Sequence, residues 1–220
     1  MTKTAAPMTS GSIWKQMTFF AMPIFLGNLF QQLYNTVDSL IVGNFLGSSA
    51  LAAVSSSGSL IFMLIGFLSG ISAGAGVIVA RFFGAGDEKN LQRAVHTTVA
   101  FGLVAGVLMT GVGVALSPQI LRWMDTPESV MRESVTYLQI YFAGSLGFVM
   151  YNVLVGILQA VGDSRHPLYY LIVSSVINLV LDLLFITGFH TGVGGAAVAT
   201  VISQIVSALL CFWQLLRTKE

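Results

Sequence analysis

The stretch Met17–Val42, MTFFAMPIFLGNLFQQLYNTVDSLIV, decides the architecture of the whole chain. It is longer than the about 20 mostly apolar residues that a membrane-spanning helix needs. It nevertheless carries Asp38, the only charged residue between Lys15 and Arg81. A charge at the centre of a bilayer costs at least roughly 2.5–3.5 kcal/mol. Such a residue is not left facing lipid. Asn28, Gln31, Asn35 and Asp38 recur at helical spacing and form one stripe. Pro23 lies in the same span, removes a backbone hydrogen bond and predicts a bend. A bent helix whose polar stripe ends in a carboxylate reads as part of an ion or substrate path. A structural stripe packed against polar neighbours is the plainer alternative.

Composition extends the reading to all 220 residues, which are 55% hydrophobic and 9% charged. Ordinary soluble domains are about 25% charged. The mean hydropathy of +0.83 therefore belongs to an integral membrane protein. The formal net charge is +1, with no basic patch, so a nucleic-acid partner is not expected. Cys211 is the single cysteine and supports neither a disulfide framework nor a zinc site. The polar lead-in MTKTAAPMTSGSIWK resembles a cytoplasmic tail more than a signal peptide.

Apolar runs predict six spans near 16–42, 51–80, 94–117, 134–158, 168–188 and 193–215. Breakers mark the connections: Gly43 to Ser49, Gly84 to Asn90, Ser117-Pro118 with Thr126-Pro127, Gly162 to Pro167, and Gly188 to Gly195. With the N-terminus inside, Lys3, Lys15, Arg81, Lys89, Arg93, Arg165, Arg217 and Lys219 are cytoplasmic, and Arg122 and Arg132 are outside. Eight basic residues against two fit the positive-inside rule, and both termini are then cytoplasmic. Gly66, Gly70 and Gly74, and likewise Gly102 and Gly106, recur every four residues and predict close helix contacts.

Asp182 is the second acid within a span and the only charge between Arg165 and Arg217. Ser174, Asn178 and Asp182 share a helix face, and Thr200, Gln204 and Ser207 do so on the sixth span. The Thr200 hydroxyl either reaches an ion or bonds back to its own helix. A buried carboxylate holds a proton or a cation, because burial penalises the bare charge. Gly84-Ala85-Gly86-Asp87 matches the GxGD pattern of intramembrane aspartyl proteases. Asp87 adjoins Glu88 and Lys89 in a hydrophilic loop, so helix termination is the better reading. His96, His166 and His190 show no metal-ligand spacing. Walker A and nucleophile-elbow sequences are absent, so neither ATP-driven chemistry nor an enzyme is expected.

These residues together resemble the MATE (multidrug and toxic compound extrusion) transporters. The run PIFLGNLFQQLYNTVDSLIVG at 23–43 is similar to their first helix, and LAAV at 51–54 to the start of their second. LQAVGDSRHP at 158–167 resembles the connection between the fourth and fifth helices. INLVLD at 177–182 and GVGGAAVAT at 192–200 resemble the fifth and sixth. The order and spacing hold over nearly the whole chain.

The resemblance implies an all-α, polytopic six-helix bundle, equivalent to one lobe of a twelve-helix transporter. It implies efflux of organic, often cationic compounds, driven by Na+ or H+ entry as the coupling ion. The cation site then falls on Asp38, Asn178, Asp182, Thr200 and Gln31, and the bending proline on Pro23. The domain expectation is a cytoplasmic tail at 1–15, a six-helix lobe at 16–216, and a cytoplasmic end or linker start at 217–220. The partners implied are the bilayer of a plasma (inner) membrane and a second six-helix lobe. That lobe is either a C-terminal half or a second copy, since halves of one orientation pair about an axis along the membrane normal. Two readings stay open besides: a truncated, non-transporting lobe or assembly partner, and a lipid-linked precursor flippase of the same superfamily.

Overall fold

The computed structural model describes residues 12–217, and all its regular structure is helical. Lys3, Lys219 and most of the expected tail lie outside the described residues. Helix α1 (Ile13–Leu46) begins inside that expected tail, so Lys15 is already helical. It runs unbroken through Pro23. Gly47, with φ +89°, separates it from α2 (Ser48–Gly84). A side chain is strained at that angle, so glycine is what the tight reversal needs.

Helix α3 (Glu88–Trp123) opens on Asp87, whose carboxylate accepts from the Asn90 backbone N–H at 3.1 Å and from Asn90 Nδ2 at 2.7 Å. Asp87 is thus a helix cap. The third connection is shorter than the sequence predicts. Ser117 and Pro118 do not frame it; they lie within α3, and only Met124–Pro127 separates α3 from α4 (Glu128–Ala143). Pro118 is tolerated because Gln139 Nε2 on α4 donates to Val114 O at 3.4 Å. Val114 O is the carbonyl that a proline at 118 leaves without its helical donor.

The fourth expected span is two helices, α4 and α5 (Ser145–Ala160), bent by 50°. The bend falls at Gly144, where α7 comes so close that an added Cβ would lie 2.3 Å from Val201 Cγ2. Helix α6 (Arg165–Leu183) continues into a π turn (Leu184–Gly188), and α7 (Val193–Arg217) closes the bundle. Among the described residues four helices are long and apolar enough to cross a membrane, or five where the bent α4–α5 pair counts as one broken span. Helix α1 has 34 residues, ample for a crossing, but its polar stripe lowers its apolarity.

The glycine expectations divide. Gly102 would meet Val153 at 3.0 Å and Gly106 would meet Leu146 at 2.7 Å if either carried a Cβ. Gly66, Gly70 and Gly74 have nothing within 4 Å, so the close contacts expected for them are absent within this lobe. The tightest approach of α3 is instead at Gly113, whose added Cβ would lie 2.1 Å from the Phe142 ring. These small residues let α3 seat α4 and α5, and that seating fixes what the cavity side of α4 presents.

Candidate functional site

A cavity of about 750 Å³ opens between α1, α2, α4, α5, α6 and α7. Pro23, Asn28, Gln31, Asn35 and Asp38 of α1 all line it, as the single-face stripe requires. Thr200 and Gln204 line it from α7. Asn28 and Asn35 are exposed to the cavity, and Gln31 Nε2 donates to Asn35 Oδ1 at 3.4 Å. Gln31 therefore pairs along its own helix rather than with an acid.

Asp182 is fully buried on α6, with Asn178 and Ser174 buried one and two turns before it. Its carboxyl lies within hydrogen-bond reach of the Asp38 carboxyl on α1. The two intramembrane acids, far apart in sequence, therefore form a pair. Two bare carboxylates at that range repel, so a shared proton or a cation between them would be favoured over two free charges.

The Asn178 amide bridges the pair to its neighbours. With its orientation assigned from the surrounding donors and acceptors, Nδ2 donates to Asp182 Oδ2 at 2.6 Å. Its Oδ1 then accepts from Tyr34 Oη at 3.2 Å and from the Thr200 backbone N–H at 3.1 Å. The Thr200 hydroxyl donates back to Ala196 O at 3.0 Å and lies 3.4 Å from Asn178 Nδ2 as drawn in the other orientation. The back-bond within its own helix is thus real, and the hydroxyl still sits at the site.

One oxygen of each acid, Asp38 Oδ1 and Asp182 Oδ1, is buried without a partner. Unpaired buried carboxyl oxygens are the donor atoms that a small hard cation takes. The residues present therefore fit a monovalent cation or a proton. Among the described residues, no cluster of three His, Cys, Asp or Glu side chains groups as a metal site. This site is instead an acid pair oriented by the Asn178 N–H; the Asn178 oxygen expected as a ligand is turned to Tyr34 and the Thr200 backbone, and the Thr200 hydroxyl is the neutral oxygen nearby.

Sequence reasoning missed three tyrosines. Tyr34 lies four residues before Asp38 on the same face, and that spacing was a usable signal. Tyr137 and Tyr141 come from α4 and are buried, with Tyr137 within electrostatic reach of Asp38, Asp182 and both other tyrosines. No local pattern joins them to Asp38; the packing of α4 does.

The histidines stand elsewhere. His96 contacts Gln92 O within α3, at 2.7 Å. His166 pairs with Asp163 at 2.6 Å beside Gln214 of α7. His190 is an exposed loop residue with φ 52°.

Comparison with known proteins bears on the whole lobe. The MatE family model matches residues 23–184. The chain is 37% identical over 213 residues to the probable multidrug resistance protein YoeA of Bacillus subtilis (strain 168), covering 95% of this chain and 46% of that protein. A solved outward-facing conformation of a multidrug resistance MATE family transporter of the MOP superfamily superposes with a TM-score of 0.91 at 27% identity. That match covers 100% of this chain and 48% of the other. A crystal structure of MATE in the bent conformation gives 0.88 at 28% identity, covering 96% and 47%. The chain spans about half the length of the curated relatives it matches. With a family model covering most of its length and its bundle superposing on solved members, this integral membrane chain belongs to the MatE family.

Proposed function

We propose that the chain supplies the cation-binding N-terminal lobe of a secondary multidrug antiporter, which exchanges Na+ or H+ for an organic, often cationic compound. The observation that carries this reading is the Asp38–Asp182 pair, with Asp182 fully buried, Asp38 half-buried at the cavity wall and one buried, unpartnered oxygen on each acid. Asn178 turns its amide N–H to Asp182, and the Thr200 hydroxyl adds a neutral oxygen beside that amide. Gln31 stands two turns along α1 as a further oxygen facing the same cavity.

The cavity is of a size that holds a drug-like molecule. Its lining includes Asp38 and no lysine or arginine, which favours a cationic cargo over a polyanionic, lipid-linked one. The relative YoeA carries the name of a probable multidrug resistance protein. Bending of α1 at Pro23 would move the stripe from Asn28 to Asp38 against α6 and α7. A second six-helix lobe, from a C-terminal half or another copy, completes the transport path. The membrane is the plasma (inner) membrane, with both termini cytoplasmic by the basic-residue bias.

Ethidium movement in proteoliposomes tests this reading. A sodium or pH gradient should drive it when the lobe is joined to a second lobe, and not when the lobe is monomeric. Gradient-driven movement that is unchanged by the Asp38→Asn, Asp182→Asn double substitution would exclude the acid pair as the coupling site.

A further inference from the structure

Helix α4 has two faces with different tasks. Tyr137 and Tyr141, one turn apart, line the cavity that Asp38 lines, and Tyr137 is within electrostatic reach of both acids. Leu138, Gln139 and Phe142 face α3, where Phe142 lies over Gly113 and Leu138 packs with Leu121. At 3.6 residues per turn, Gln139 lies on nearly the opposite side of α4 from Tyr137. Most of this seat is apolar, and apolar burial is non-directional.

One contact in the seat is directional. Pro118 has no N–H, so Val114 O loses its helical partner. Gln139 Nε2 donates to that carbonyl at 3.4 Å. The preceding carbonyl, Gly113 O, accepts from Ser117 Oγ at 2.6 Å. Inside a bilayer, a carbonyl freed by proline must find its donor within the protein. Pro118 thus creates an acceptor aimed at α4, and Gln139 fills it. Across the helix, Ser134 Oγ meets Ser56 Oγ of α2 at 3.0 Å and ties α4 a turn earlier.

We propose that Gln139 is a positioning residue for the acid pair. Its bond to the carbonyl freed by Pro118 fixes the rotation of α4 about its own axis. Tyr137 and Tyr141 thereby stay turned toward the cavity, with Tyr137 beside Asp38 and Asp182. The effect on coupling rests on the ion-site reading given above, whereas the orientation of Tyr137 does not.

The test uses the full chain in lipid nanodiscs, with 3-fluorotyrosine at position 137 read by fluorine NMR. Gln139→Met keeps the volume and removes the donor. Pro118→Ala restores the N–H that Val114 O lost. Gln139→Met alone should displace the Tyr137 resonance and weaken its response to sodium or acid. In the Pro118→Ala background the same substitution should leave both unchanged. A displacement of equal size in both backgrounds, or in neither, would overturn the proposal. If Gln139→Met fails to fold, recovery of folded protein by Pro118→Ala supports the same coupling, and equal failure of both overturns it. Wild-type protein that responds to neither sodium nor acid, while Gln139→Met still displaces Tyr137 only when Pro118 is present, refutes the ion-site reading alone.

Discussion

Asn178 Nδ2 donates to Asp182 Oδ2 at 2.6 Å, one helical turn along α6, while its other amide atom faces Tyr34 and the Thr200 backbone. A single amide thus joins α1, α6 and α7 at the acid pair. Asn178→Leu removes the donor to Asp182 and the oxygen that accepts from the Tyr34 hydroxyl and the Thr200 N–H. Unpaired buried polar groups cost about 1–3 kcal/mol each. The substitution should weaken sodium binding by roughly 10- to 100-fold, the usual effect of losing an orienting partner at a cation site. Sodium titration of the purified variant checks it, and wild-type affinity would remove Asn178 from the site.

Gly113→Ala should destabilise the lobe through one contact. The added Cβ would lie 2.1 Å from the Phe142 ring, against a helix seat that is already close-packed. Overpacking of this kind costs about 1–3 kcal/mol. Phe142→Leu should recover part of the loss, because neighbouring substitutions that share a contact are not additive. Thermal unfolding in detergent measures both. Equal midpoints for Gly113→Ala and wild type would show that α3 and α4 separate freely.

Each acid was legible because it is alone in an apolar run, whereas their pairing followed only from the family resemblance. The cost of an unsatisfied charge is a local property, so the residue announces itself. Its surroundings were less legible. Tyr34 shares the face of Asp38, yet an aromatic in a membrane helix reads equally well as packing. Tyr137 and Tyr141 reach the site only through the seat of α4 on α3, which no spacing encodes. Pro118 reads as a breaker by any local rule, and its rescue comes from Gln139, whose bond to Val114 spans 25 residues of chain. Gly66, Gly70 and Gly74 have the spacing of a contact face without a contact in this lobe.

Asp87 gives a pH prediction at the membrane surface. The Asn90 side chain, then its backbone N–H, hold the Asp87 carboxyl below its ordinary value of 3.8, with a smaller contribution from Arg93. A lowered value in the folded state means that the cap contributes fully above 3.8 and is lost as pH falls through the lowered value. Amide exchange at the start of α3 should therefore quicken in acid and be fast at all pH in Asp87→Ala. Acid-independent protection there would contradict the cap.

Orientation is checked with cysteines in a Cys211→Ser background. Asp125, in the connection before α4, should label with an impermeant thiol reagent in intact cells. Lys89, exposed at the start of α3, should label only after lysis. Asp163 is less suitable, because its carboxylate holds both the backbone and the ring of His166. The reverse pattern would invert the proposed topology.

Isothermal titration of the purified lobe with sodium, repeated across a pH series, tests the acid pair most directly. The predicted result is a single site whose sodium affinity falls as protons compete for Asp38 and Asp182, and which vanishes in the Asp38→Asn, Asp182→Asn double variant. Protonation that tracks the pair without any sodium heat would leave the proton form of the site standing. Sodium binding that persists undiminished in the double variant would contradict the account.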